Sequence, residues 1–132
     1  MHAQPLICVR DVEASSRWYQ RLLGVTSAHG GAEYERLNKG DTLILQLHNW
    51  EVKHHHDAIG DPDIKAGNGV LLWFEIADLA GAVARSKEMN VEVVMPHYHH
   101  AGASQWEIWL RDPDGYTVVL SEPDGTRPGV GG

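Results

Sequence analysis

The chain alternates short apolar runs with polar, turn-forming stretches, and the spacing within each run predicts its element. Pro5 to Val9 (PLICV) reads as a short strand. Asp11 is an N-cap candidate with Glu13 in the first turn. Val12, Ser15, Tyr19 and Leu22 recur at helical spacing and Gly24 is a stop, so a helix is predicted over 12–23. Tyr34 to Leu37 is a short strand candidate, Asn38-Lys39-Gly40 a hairpin turn, and Thr42 to His48 (TLILQLH) a clear strand. Residues 51–69 are polar and rich in turn formers and read as a long connection. Val70 to Ile76 (VLLWFEI) is the next strand. Asp78 caps a second helix, from Leu79 to about Met89, with Leu79, Ala82, Val83 and Ser86 on its inner side. Val91 to Met95 and Gln105 to Leu110 are strands. Asp112-Pro113-Asp114-Gly115 then makes a tight turn into a last strand, Tyr116 to Ser121. Pro123 to Gly132 is rich in Gly and Pro and reads as a mobile tail.

This order repeats. VRDVEASSRWYQRLLGV lies over EIADLAGAVARSKEMNV with Asp11 on Asp78 and Leu22 on Met89. GDTLILQL lies over GYTVVLSE with Gly40 on Gly115. The fold class that follows is α+β: two βαβββ modules in tandem, pairing into one curved mixed sheet around a cavity. One domain spans 1–122, with module one at about 4–50, a linker at about 51–69, module two at about 70–122, and the tail at 123–132.

Composition narrows the functional classes. The 132 residues suffice for one domain with a real core. A formal net charge of −7 with no clustered Lys/Arg stripe argues against nucleic acid. No run approaches the ~20 apolar residues of a membrane span, and no secretory signal is expected at the N-terminus. The single cysteine, Cys8, permits no intrachain disulfide and sits in an apolar run, which suits a reducing cytoplasm and a small hydrophobe rather than a nucleophile.

The segments LICVRDVEASSRWYQRLLGV, WFEIADLAGAVA and WLRDPDGYTVVLSE, in this order and spacing, resemble the vicinal oxygen chelate superfamily, the group of glyoxalases, bleomycin-resistance proteins and extradiol dioxygenases. The likeness covers about residues 4 to 122. It implies the same fold and a homodimer. It also implies where the metal-bearing members would place about four ligands: at Gln4, at Ile44 (or, with other gaps, Leu45 or Gln46), at Leu71 and at Val119. Divalent metals need oxygen, nitrogen or thiolate donors. Leu71 and Val119 have none, and Gln4 alone cannot hold an ion. The usual metal site is therefore expected to be degenerate, with no cofactor.

Polar and aromatic residues on strand faces supply the candidate ligand contacts. Gln46 and His48 share a face with Ile44; they point either into a cavity or to solvent at the strand's end. Trp73 and Glu75 share a face with Leu71, the inward face by the resemblance, and suit a flat or cationic organic molecule. Gln105, Glu107 and Trp109 form a mixed polar–aromatic face, whereas Trp106, Ile108 and Leu110 form an apolar one expected to pack on a helix. His54-His55-His56 and His97, His99 and His100 are placed in loops. Asp112 and Asp114 are read as turn chemistry, Asp11 and Asp78 as caps.

The leading expectation is a resistance-type protein that binds and sequesters a small organic molecule through Gln4, Gln46, His48, Trp73, Glu75, Glu107 and Trp109. The alternative is a lyase, isomerase or dioxygenase of the same superfamily with a displaced Ni²⁺, Zn²⁺, Mn²⁺ or Fe²⁺ site built from Gln4, Gln46, His48 or the loop histidines. A third is a protein–protein module using a sheet edge.

Overall fold

The structure, a computed structural model, describes residues 1–51 and 59–126. The chain divides into two compact units, Met1–Lys65 and Ala66–Gly132.

In the first unit, β1 (Leu6–Cys8) leads into α1 (Val12–Leu23), followed by β2 (Thr26–Ser27), β3 (Tyr34–Lys39) and β4 (Thr42–His48). The sheet order is β1-β4-β3-β2, with β1 parallel to β4 and the other pairs antiparallel. Asp11 caps α1 by accepting from the Ala14 amide at 3.0 Å. Gly24 ends it at φ 69°, where its N–H donates to the Gln20 carbonyl at 2.9 Å. The predicted stripe Val12, Ser15, Tyr19 and Leu22 is buried. The sheet residues Ile7, Leu37, Leu45 and Leu47 are buried as well, and α1 packs on β2, β3 and β4.

The second unit repeats this plan: β5 (Leu71–Glu75), α2 (Leu79–Glu88), β6 (Glu92–His100), β7 (Gln105–Arg111) and β8 (Thr117–Pro123), in the order β5-β8-β7-β6 with β5 parallel to β8. Asp78 caps α2 through the Gly81 amide at 3.0 Å, and α2 packs on β7 and β8 with its predicted inner residues buried. The turn before β8 forms as read. Asp112 accepts from the amides of Asp114 and Tyr116, each at 2.9 Å, and Gly115 takes φ 96°.

Two readings are corrected here. His97, His99 and His100 lie in β6, not in a loop. Pro96 looks like a strand breaker because it lacks an N–H. β6 is the edge of its sheet, however, where a missing donor is tolerated, and its pairing with β7 is interrupted by register shifts on both sides of Met95. Trp106 does not share the burial of Ile108 and Leu110. It is 40% exposed, flanked by the rings of His97 and His99 at 5.3 and 4.8 Å. His54-His55-His56 and the end of the tail, 127–132, lie outside the described residues.

Candidate functional site

Each module has one sheet face covered by its own helix and one turned away from it. The strand residues singled out from the sequence as ligand contacts, Gln46, His48, Trp73, Glu75, Glu107 and Trp109, lie on the second kind of face.

In module one the parallel register sets Leu6 beside Gln46 and Cys8 beside His48, while β3 brings Tyr34 beside His48 and Arg36 beside Gln46. Gln46 is a clamp: its Nε2 donates to the Gln4 carbonyl at 3.0 Å, and its Oε1 accepts from the Tyr34 hydroxyl. Arg36 donates to that hydroxyl at 3.3 Å. His29, Tyr34 and His48 form a row of rings with centroids 5.0 and 6.2 Å apart. With Leu6 and Glu33 they line a pocket of about 490 Å³. The Nδ1 of His48 lies 2.7 Å from the Asn49 carbonyl, and that of His29 2.6 Å from the Gly30 carbonyl. A carbonyl only accepts, so in both rings Nδ1 carries the proton. His29 and Tyr34 were not found from the sequence, because they meet His48 only through the β3–β4 register and the 29–33 loop.

In module two the register assembles a wider face. One row across the strands is Trp73, Val119, Trp109 and Met95; the next is Glu75, Ser121, Glu107 and Tyr98; then come Gln105 and His100. The indoles of Trp73 and Trp109 stand edge to face with centroids 6.1 Å apart. Their strands flank β8 at about 4.8 Å on either side, so the rings lean together over Val119, which is fully buried. The Trp73 Nε1 donates to Ser121 Oγ at 2.9 Å.

Glu107 is the organising charge of this face. It is only 1% exposed, and its carboxylate accepts from Tyr98 Oη at 2.6 Å, Trp109 Nε1 at 3.0 Å, Gln105 Nε2 at 2.5 Å and His100 Nδ1 at 3.1 Å. Burial pushes its pKa up. The hydrogen bonds, led by Tyr98, outweigh burial and hold the carboxyl at about 2. The same Tyr98–Glu107 bond is the main force pushing the Tyr98 hydroxyl up, so that proton stays on the tyrosine. The sequence marked Glu107 but not Tyr98, and it placed His100 in a loop. The pattern VVMPHYHH carries period-2 alternation through Pro96 and was the available signal for both.

The positions where the resemblance would put metal ligands do not suit a metal. Gln4 is exposed, Ile44, Leu71 and Val119 carry no donor atom, and Gln46 has its carbonyl oxygen engaged by Tyr34. Val119 is sealed beneath two indoles. Among the described residues no three His, Cys, Asp or Glu side chains gather as a group that could hold a metal ion. Cys8 is buried, and burial pushes its thiol up, away from thiolate chemistry.

Twin βαβββ modules define a class of folds, and the sequence assigns the chain within it. The family profile of the Glyoxalase/Bleomycin resistance protein/Dioxygenase superfamily matches residues 2–120, and the chain belongs to that superfamily. Among solved structures it is similar to the bleomycin resistance determinant encoded on the transposon Tn5 at 20% identity, covering 94% of this chain and 98% of that one with a TM-score of 0.67. It is also similar to lactoylglutathione lyase from Agrobacterium tumefaciens at 15% identity, covering 94% of each with a TM-score of 0.69. TioX from Micromonospora sp. ML1 matches at 15% identity, covering 92% of this chain and 98% of that one with a TM-score of 0.72. At these identities the structures share the fold. The chain matches none of the curated proteins. Among the described residues no helix is long and apolar enough to cross a membrane.

Proposed function

We propose that this protein binds a small organic molecule on the helix-free faces of its modules, without the metal that many members of its superfamily use. The observation that carries this reading is Val119. At the position where the family's fourth ligand would fall, the side chain is apolar, fully buried and covered by the Trp73 and Trp109 rings. A face built this way supplies flat hydrophobic area and a permanent negative charge beneath it. Both favour an aromatic or weakly cationic ligand.

Sequestration needs no catalytic group. On the module-two face Trp73, Trp109 and Glu75 would be the contacts, with Glu107 positioning its aromatic neighbours rather than touching the ligand; on the module-one face they would be Gln4, Gln46 and His48. The protein would act as a homodimer in the reducing cytoplasm, and the bleomycin resistance determinant is the comparison that supports a resistance-type role.

The test combines elemental analysis with a ligand screen. Protein purified without a metal-affinity column should carry no stoichiometric metal after dialysis. Ni²⁺, Zn²⁺, Mn²⁺ and Fe²⁺ should not raise its melting temperature. A screen of aromatic and cationic compounds by tryptophan fluorescence should find binders that Trp73→Ala or Trp109→Ala weakens. Stoichiometric metal that survives dialysis would overturn the reading in favour of a metal-dependent lyase, isomerase or dioxygenase.

A further inference from the structure

The hydrogen-bond donors of Tyr98, Trp73, Trp109 and Gln105 on the aromatic face of module two point inward. The Tyr98 hydroxyl and the Trp109 indole N–H are both spent on Glu107 Oε1, and the Trp73 indole N–H on Ser121. The amide of Gln105 also donates to Glu107, and Gln105 is itself buried. What this part of the face presents outward is rings and acceptors.

The clearest acceptor is His100. Its side chain is 51% exposed, while its Nδ1 lies 3.1 Å from Glu107 Oε2. An ionised carboxylate can only accept, so Nδ1 must carry a proton. In the neutral ring the other nitrogen, Nε2, then has a lone pair, and no described residue donates to it. The His100 ring stands 6.1 Å from that of Tyr98, and Tyr98 and Trp109 meet at Glu107 Oε1. These rings stand side by side around one buried carboxylate.

We propose that this face selects flat aromatic molecules that bring their own N–H donor, which His100 Nε2 accepts while Glu107 fixes the tautomer and direction of the ring. Glu107 is a positioning residue; His100 touches the ligand. The inference rests on the small-molecule reading above and narrows it to a donor-bearing class. A ligand with only acceptors finds no outward donor among Tyr98, Trp73 and Trp109 and meets the field of a buried carboxylate.

The test uses indole and 1-methylindole, which share a flat face and differ by the N–H. Binding is followed by NMR on the full chain labelled with ¹⁵N in histidine and in the tryptophan side chains. Without ligand, His100 should show its proton on Nδ1, the minor tautomer of free histidine. Indole should shift the His100 Nε2 resonance and bind at least about five-fold more tightly than 1-methylindole. His100→Phe keeps a ring but removes the acceptor, and it should abolish that preference while the Trp73 and Trp109 signals still respond.

Equal binding of the two probes at the Trp73 and Trp109 signals would overturn the donor inference and leave the binding reading standing. No response of those signals to either probe would overturn the inference and count against the binding reading as well. A proton found on Nε2 of His100 would overturn the tautomer argument by itself.

Discussion

Replacing Glu107 by Gln should cost stability in a way that depends on pH. Glu107→Gln keeps the volume and one acceptor oxygen but swaps the other for an amide that points protons at protons, since all four partners already donate into this spot. The gap between the usual 4.5 and about 2, at about 1.4 kcal/mol per pH unit, corresponds to roughly 3 kcal/mol. The folded-state pKa is depressed. The contribution is therefore fully present above the unfolded pKa and is lost as pH falls from about 5 toward 2. Orphaned donors give the same scale: about 1–3 kcal/mol for each one left dry, less for Tyr98 and His100, which water can reach.

Urea unfolding of the wild type and Glu107→Gln checks this from pH 7 down to pH 3. With a urea slope on the order of 1.5 kcal/mol/M for a small protein, the midpoints should differ by about 2 M at pH 7. The difference should close progressively below pH 5. Subtracting the two proteins removes the other carboxylates, including Glu35 and Asp124, whose pKa values are also lowered. A midpoint difference that stays the same at pH 3 and pH 7 would refute the reasoning, because Glu107 would then not be the group whose charge the fold holds.

Four further substitutions test other positions. Val119→Glu puts a carboxylate where the resemblance would set a fourth metal ligand but places it under Trp73 and Trp109; it should lose several kcal/mol in urea unfolding and gain no metal by elemental analysis. Trp73→Ala removes a side chain that is 44% exposed. It should cost about 1–2 kcal/mol, below the 3–5 typical of buried aromatics, and leave the far-ultraviolet dichroism unchanged; an unfolded variant would make Trp73 core instead. Gly67→Ala should cost about 2–4 kcal/mol, from a left-handed φ of +72° and a Cβ 2.8 Å from the Tyr116 ring. Gly69→Ala, at φ +78° in open space, should cost only about 1 kcal/mol, as thermal unfolding would show.

The parts of the fold set by local chemistry were legible in the sequence. Asp11 and Asp78 cap helices because a carboxylate next to an apolar stripe has free amides to satisfy, and DPDG turns because the Asp112 carboxylate accepts from the amides of Asp114 and Tyr116. The alternation QWEIWL placed Glu107 and Trp109 on one face. What lay beyond reach depends on register. Tyr98 reaches Glu107 only because β6 runs on past Pro96 and shifts register against β7. A run of histidines after a proline gives no hint of strand unless its edge position is known. Likewise His29 and Tyr34 join His48 through the 29–33 loop, whose path follows from Glu35 and from Gly30 and Gly31 at φ 80° and 116°.

Glu35 shows how the two modules use one device differently. It sits on β3 as Glu107 sits on β7, the equivalent strand of the repeat, and it is 3% exposed. Its carboxylate accepts from Ser16 and Ser27 hydroxyls at 2.8 and 2.7 Å and from the amides of His29, Gly30 and Arg36 at 3.2, 2.8 and 2.9 Å. Most of these donors are backbone, so Glu35 fixes the course of a loop without depending on the identity of the loop's side chains. Glu107 takes all its donors from side chains, so its charge is tied to the identities of Tyr98, His100, Gln105 and Trp109. Changes at His29, Ala32 and Glu33 can thus reshape the module-one pocket without disturbing its anchor, whereas Gly30 and Gly31 are held by their positive φ. On the module-two face, a change at any of those four leaves the buried carboxylate short of a donor. The specificity of that face is accordingly the harder of the two to alter one residue at a time.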